Sequence, residues 1–159
     1  MNLKIGQGID FHRLEKDLNL WLGGICVPSE KGCVAHSDGD VLLHAICDAL
    51  LGAAGLPDIG HQFPDTDIKF KNIDSKILLK SVCNLIKEKG FDFVNIDSTV
   101  CLEKPKIAPY IPEMRSVIAS IIETDKENVS IKATTAERMG FIGREEGVAA
   151  LAVALLKKL

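Results

Sequence analysis

The chain has 159 residues, 47% of them apolar and 26% charged, the size and balance of one globular domain with one substantial core. Its formal net charge of −3 supplies no long-range basic field for nucleic acid or an anionic membrane, so phosphate groups must be held locally. No uncharged run of about 18 apolar residues is present, and the chain start reads as strand, so neither a membrane span nor a targeting segment is expected.

Taken in chain order, residues 1–11 and 18–22 have strand character, separated by a polar turn over 13–17. Residues 23–39, rich in Gly and containing Pro28, read as irregular. Apolar residues at helical spacing (Val41, Ile46, Ala49, Leu50, Ala53) predict a helix over 40–55, with Ser37 or Asp38 as N-cap and Asp40 complementing the dipole. Residues 56–71 carry Pro57 and Pro64 among polar residues and read as a functional loop. An amphipathic helix over 75–89 stops at Gly90. Residues 91–103 read as a strand ended by Pro105 and Pro109, 111–124 as a helix and 128–134 as a strand. The apolar run 147–156 is ambiguous, because its alanines favour helix and its continuity suits a buried strand. The alternation predicts an α/β or α+β sandwich, one sheet covered by helices. Five cysteines (Cys26, Cys33, Cys47, Cys83, Cys101) form no C-x-x-C pair and sit among apolar neighbours, as reduced thiols in the cytoplasm would. A plastid form with its targeting segment trimmed would read the same.

Several constellations can carry chemistry. In Gly8-Ile9-Asp10-Phe11-His12, a strand would turn Asp10 and His12 to one side, where a carboxylate and an imidazole can share a divalent metal; a surface pair beside a turn is the plainer reading. In the stretch from Ala35 to His44, polar residues crowd a helix start, and Asp40, His44 and Asp48 follow i, i+4 spacing. His44 is either a core histidine, with Asp48 as partner for its second nitrogen, or the third member of an O,N,N set with Asp10 and His12. That set keeps one coordination place open, as catalytic zinc does. Asp58-Ile59-Gly60 and Phe63-Pro64-Asp65-Thr66-Asp67 suit a mobile wall against a polyol or a metal-bound phosphate, or a solvated acidic turn. Lys132, Thr134 and Thr135 can hold phosphate oxygens while Glu137 binds Mg²⁺ with phosphate co-ligands; Thr134 and Glu137 also match a capping box. Glu103-Lys104-Pro105-Lys106 is a rigid basic loop able to position nucleotide phosphates, or simply solvated.

Together with Gly140-Phe141-Ile142-Gly143-Arg144, these blocks resemble the 2-C-methyl-D-erythritol 2,4-cyclodiphosphate synthase family of the non-mevalonate isoprenoid pathway, over essentially the whole chain. The resemblance implies an α+β fold, a single mixed sheet packed against helices, in one domain spanning 1–159 and assembled as a homotrimer with active sites at subunit interfaces. It places 147–156 in the sheet. It implies a phosphorus-oxygen lyase that closes a cyclic diphosphate and expels CMP, with no nucleic-acid or membrane partner. Asp10, His12 and His44 would bind one Zn²⁺ per subunit, and Glu137 would bind Mg²⁺ or Mn²⁺ with substrate phosphates. His36, Thr135 and Glu137 would be catalytic. Substrate contacts would come from His36, Ser37, Asp58, Ile59, Gly60, Phe63, Pro64, Asp65, Thr66, Asp67, Lys104, Pro105, Lys106, Ile107, Ala108, Lys132, Thr134, Thr135, Phe141 and Arg144. One departure is Leu151, where some members carry an acid that pairs with the arginine equivalent to Arg144. A role of the trimer's central cavity in binding an isoprenoid diphosphate is not expected to carry over. A metal-stabilised nucleotide-binding protein and a zinc hydrolase are the competing readings.

Overall fold

The computed structural model describes residues 2–64 and 66–159. In chain order the strands are β1 (Leu3–Lys16), β2 (Leu20–Leu22), β3 (Ile25–Val27), β4 (Lys31–Val34), β5 (Phe91–Cys101), β6 (Val129–Thr134) and β7 (Gly147–Lys158). The helices are α1 (Val41–Ala53), α2 (Ile59–Gln62), α3 (Ser75–Glu88), α4 (Ile111–Ile122) and α5 (Gly140–Gly143). Five strands make one mixed sheet in the order β4-β1-β7-β5-β6, antiparallel except for the parallel pair β5 and β6. The connection between β5 and β6 runs through α4. The α+β class expected from the sequence is therefore present. Strands β2 and β3 add a small separate ribbon, and among the described residues no helix is long and apolar enough to cross a membrane.

Two strand boundaries differ from expectation for a physical reason. The polar residues 13–16 do not turn. Strand β1 leaves β7 at Arg13 and continues against β4, pairing Arg13 with Val34 and Lys16 with Lys31. The turn comes at Asp17, in the left-handed region at φ 63°. Likewise the stretch 23–39, expected to be irregular, holds β3 and β4, whose three and four residues are too short to show a period of two. Within 56–71, α2 and a 3-10 turn at Ile68–Phe70 interrupt the loop. Helix α3 starts as expected, with Gly90 (φ 73°) just past its end. Helix α4 stops on Glu123 in the left-handed conformation.

Strand β7 lies between β1 and β5 and is paired with both, so helix propensity is overridden by two ladders of backbone hydrogen bonds. Its buried positions alternate: Val148, Ala150, Ala152, Ala154 and Leu156 face the helices, while Leu151 and Val153 are exposed on the other side. The small residues serve close packing. Gly6 and Gly8 of β1 pair with Ala154 and Ala152, and α1 lies directly over this strip. A Cβ on Gly8 would stand 1.9 Å from the Ala45 carbonyl oxygen, and one on Gly6 2.0 Å from that of Ala49.

Among the described residues, the opposite face of the sheet leaves large apolar side chains exposed. Ile5 (72% exposed), Ile9 and Phe11 (52%) from β1, with Leu151 and Val153 from β7, form an apolar surface. The cysteines are free; Cys33, Cys47 and Cys83 are buried as small hydrophobes, Cys101 is half-buried, and Cys26 is exposed.

Gly8→Ala should destabilise the chain by about 1–3 kcal/mol through overpacking of α1 on β1. Denaturant unfolding checks this, and a variant with unchanged midpoint would show that α1 has room to lift. A second expectation concerns α4, where the Glu123 carboxylate meets Lys80 and Lys87, each at 2.5 Å. Those two hydrogen bonds pull its pKa from 4.5 down to about 2. A depressed carboxylate contributes above its unfolded pKa and loses that contribution as pH falls from 4.5 toward 2. The stability gap between wild type and Glu123→Gln should therefore narrow between pH 5 and pH 3, and in high salt; a gap constant across both would contradict the ion cluster.

Candidate metal centre and substrate pockets

Close packing of α1 on β1 brings His44 over the two functional side chains of that strand. Asp10 Oδ2 lies 2.9 Å from His12 Nε2 and 3.1 Å from His44 Nδ1, and the two ring nitrogens are 3.2 Å apart. These three are the group of potential metal-binding side chains found among the described residues. Tetrahedral bonds of about 2.0–2.1 Å place ligand atoms about 3.3 Å apart, so one oxygen and two nitrogens at this spacing fit a single zinc-sized dication. Burial alone would push the Asp10 carboxyl up, but the hydrogen bonds and charges of His12 and His44 hold it well below the usual carboxylate range. Burial pulls the His44 imidazole down, and Asp10 more than reverses that. The three groups together ask for positive charge between them.

Residues around His44 differ from the helix-face reading. Asp40 is fully buried (0% exposed) and is itself the N-cap of α1, accepting from Leu43 N–H at 3.0 Å. Its carboxylate also accepts from Gly23 and Gly24 N–H at 3.0 and 2.7 Å, clamping the β2–β3 turn to the helix start. Ser37 and Asp38 are not the cap. The second nitrogen of His44 meets Ser75 Oγ at 2.9 Å and Ser37 Oγ at 3.2 Å, not Asp48. Asp48 instead accepts from Ile59 N–H at 2.7 Å, which ties α2 to α1.

A cavity of about 200 Å³ opens beside the triad, lined among others by His36, Ser37, Ile59, Gly60 and Phe63. The ring nitrogen Nε2 of His36 is buried with no hydrogen-bond partner among the described residues, an orphan that points to a ligand in a native site. Phe63 packs edge-on against Phe70 at 5.5 Å. Asp58 caps α2 and holds His61 at 3.1 Å, while Asp67 caps the following 3-10 turn. Pro64 and Thr66 are exposed at the outer end of this loop, and Asp65 lies outside the described residues.

A second pocket of about 130 Å³ is lined by Pro105, Lys106, Ile107, Ala108, Thr134 and Thr135, with Leu102 and Ala133. The capping-box alternative fails, because no helix begins there. Glu137 (φ 51°) and Arg138 (φ 62°) form a left-handed turn instead, with Thr135 Oγ1 donating to Glu137 Oε1 at 3.1 Å. Gly143 lies so close beneath that turn that a Cβ would meet Arg138 C at 2.1 Å. Such strain on non-glycine residues is concentrated at functional sites. Lys104 pairs with Glu145 at 3.0 Å, away from this pocket. Lys132 is engaged by Asp97 on the exposed sheet face, and Arg144 is engaged by Glu146 at 3.0 and 3.1 Å. Phe141 packs on Phe11, ring centroids 6.1 Å apart.

The YgbB family model matches residues 3–157. The chain belongs to the YgbB family. Among similar members, the 2-C-methyl-D-erythritol 2,4-cyclodiphosphate synthase of Azobacteroides pseudotrichonymphae genomovar. CFP2 is 56% identical over 156 residues, covering 98% of this chain and 93% of that protein. The bifunctional IspDF of Campylobacter jejuni superposes with a TM-score of 0.96 at 44% identity, over 99% of this chain and 43% of that one. IspF of Plasmodium falciparum in a CDP complex superposes at 0.86 with 32% identity, over 99% of this chain and 97% of that one. This YgbB chain thus shares its whole fold with cyclodiphosphate synthases.

Three contributors to the site escaped sequence reasoning. Ser75 read only as a helix start, Asp38 as a cap, and Asp48 as a partner of His44. Each acts on a residue distant in sequence, which spacing does not reveal. Asp48→Ala should speed hydrogen exchange of the Ile59 amide about tenfold or more, since a charge-assisted bond contributes about 1.5–3 kcal/mol. Exchange at the wild-type rate would show that α2 is held elsewhere.

Proposed function

We propose that the chain converts 4-diphosphocytidyl-2-C-methyl-D-erythritol 2-phosphate to 2-C-methyl-D-erythritol 2,4-cyclodiphosphate and CMP, as a phosphorus-oxygen lyase of non-mevalonate isoprenoid biosynthesis. The observation that carries the reading is the convergence of Asp10, His12 and His44 on one point within 3.2 Å, beside a cavity lined in part by His36. Asp10, His12 and His44 would hold Zn²⁺, one per subunit. Glu137 would hold Mg²⁺ or Mn²⁺, a single exposed carboxylate suiting an ion that takes most of its ligands from phosphate and water. When bound, these ions supply Lewis-acid polarisation of phosphoryl oxygens and neutralise the repulsion between two phosphates.

The substrate carries its own nucleophile. Its 2-phosphate oxygen forms a bond to the β-phosphorus, the bond from that phosphorus to the oxygen bridging the α-phosphate breaks, and CMP departs with the electron pair. Such a step needs in-line positioning and charge stabilisation rather than a protein nucleophile. His36 and Ser37 hold phosphate oxygens at the triad cavity. The loop from Asp58 to Gly60 and the stretch from Phe63 to Asp67 close over the methylerythritol end, and the pocket of Pro105–Ala108 with Thr134 takes the cytidine. Thr135 and Glu137 stand at the diphosphate, Thr135 orienting the carboxylate through its hydroxyl.

One chain does not join these pockets. They share no lining residue and lie at the same end of the sheet on β1 and β6, three strand spacings or about 14 Å apart. The exposed apolar sheet face supports assembly of this single domain as a homotrimer, in which the triad cavity of one copy meets the cytidine pocket of its neighbour. Lys132, Arg144 and Phe141, engaged on or beside that face, would reach substrate only in the assembly.

Incubation of purified protein with the substrate, Zn²⁺ and Mg²⁺, followed by ³¹P spectroscopy, should yield the cyclic diphosphate and CMP. Open-chain phosphate products would reject the cyclase reading in favour of hydrolysis. In the same assay His44→Ala should lose both zinc and turnover. Glu137→Ala should lose turnover while keeping zinc at wild-type stoichiometry; normal turnover there would refute its role.

A further inference from the structure

We infer that Asp38 and Ser75 act as positioning residues that set the tautomer of His44, so that its Nδ1 rather than its Nε2 offers a lone pair to the metal position. The inference rests on the metal reading given above. Ser75 is the first residue of α3 and is fully buried (0% exposed). Its backbone N–H donates to Asp38 Oδ2 at 2.9 Å and its hydroxyl donates to Oδ1 at 2.5 Å. Oδ1 also accepts from Asp40 N–H at 3.1 Å, so every partner of this carboxylate is a donor. A hydroxyl has one proton, and that of Ser75 is committed to Asp38. The 2.9 Å contact between Ser75 Oγ and His44 Nε2 is then a hydrogen bond only if Nε2 carries the hydrogen. Ser37 Oγ, at 3.2 Å from the same nitrogen and already accepting from Gly39 N–H, offers a second acceptor.

The opposite tautomer would set the lone pairs of Ser75 Oγ and His44 Nε2 against each other in a buried place, which is unfavourable. With Nε2–H fixed, Nδ1 is left bare at 3.1 Å from Asp10 Oδ2 and 3.2 Å from His12 Nε2. Without a cation, a hydrogen on Nδ1 could instead be donated to Asp10 Oδ2, so the relay decides which nitrogen is bare once a cation sits among these atoms. The chain Asp38–Ser75–His44 therefore does through a hydroxyl what a carboxylate bonded directly to a metal-binding histidine does elsewhere.

The test uses full-length protein labelled with ¹⁵N-histidine, in two readouts. Two-bond ¹H–¹⁵N correlation spectra of zinc-loaded protein report directly which His44 nitrogen carries the hydrogen. Wild type should show Nε2–H and Ser75→Ala a mixture. Asp38→Ala should move toward Nδ1–H, because the freed Ser75 hydroxyl then donates to Nε2. Competition with a chelator should show zinc affinity lower by about 10–100-fold in both variants, with unchanged far-UV circular dichroism. Wild-type His44 carrying its proton on Nδ1, or Ser75→Ala retaining wild-type tautomer and zinc affinity, would overturn the inference. Wild-type protein that takes up no zinc would reject the metal reading, whereas zinc bound with the His44 hydrogen on Nδ1 would reject the relay alone.

Discussion

The close contact between α1 and the glycines of β1 governs the rest of the molecule. At Gly6 and Gly8 the helix backbone comes nearer to the strand than any side chain permits. Gly8 precedes Asp10 by two residues, and Ala45 follows His44 directly, so the contact that seats the helix also sets the distance between its imidazole and the strand's carboxylate. The alanines of β7, in register beside these glycines, extend the flat strip on which α1 rests. Densely packed interiors move as units. A helix so seated leaves its histidine little freedom, and preorganised donors of this kind suit a centre that must keep one coordination place open.

The electrostatics around that centre are graded. Asp10 faces the two imidazoles, Asp38 is saturated by donors, and Asp40 is buried but satisfied by three backbone N–H groups. Three carboxylates gathered at one helix start make a local negative field in a chain whose net charge is only −3. Burial, with Asp40, Asp10 and Asp38 nearby, pushes the Cys33 thiol up to about 12, so it stays protonated and inert at neutral pH. The field favours a dication and disfavours a bare phosphate. Lys104, Lys132 and Arg144 are occupied by Glu145, Asp97 and Glu146.

The proposed chemistry asks for two regions that a single sheet holds apart. The triad cavity sits by β1 and α1, the pocket lined by Pro105–Ala108 beyond β5 and β6, and the exposed apolar face lies between them on the far side of the sheet. Burying Ile5, Ile9, Phe11, Leu151 and Val153 against other copies would contribute binding energy by the hydrophobic effect. Leu151 is an apolar member of that face, and the Arg144 guanidinium is held by Glu146.

Much of the site was legible because its chemistry is written locally. Asp10 and His12 share a face because strand side chains repeat every two residues, α3 announces its start and its Gly90 stop, and Glu137 stands beside Thr135. By itself the sequence determined a sheet covered by helices, the long helices and the candidate ligand types, since propensity, periodicity and side-chain chemistry are properties of neighbouring residues. The tertiary structure alone decided that β1 runs past Arg13 to pair with β4, that Asp40 caps α1 while clamping Gly23 and Gly24, and that Ser75 and Asp38 stand behind His44. It alone made the alanine-rich segment after Gly147 a central strand on physical grounds, because two neighbouring strands claim its backbone. These outcomes rest on contacts between residues far apart in the chain, and only folding determines which of them meet.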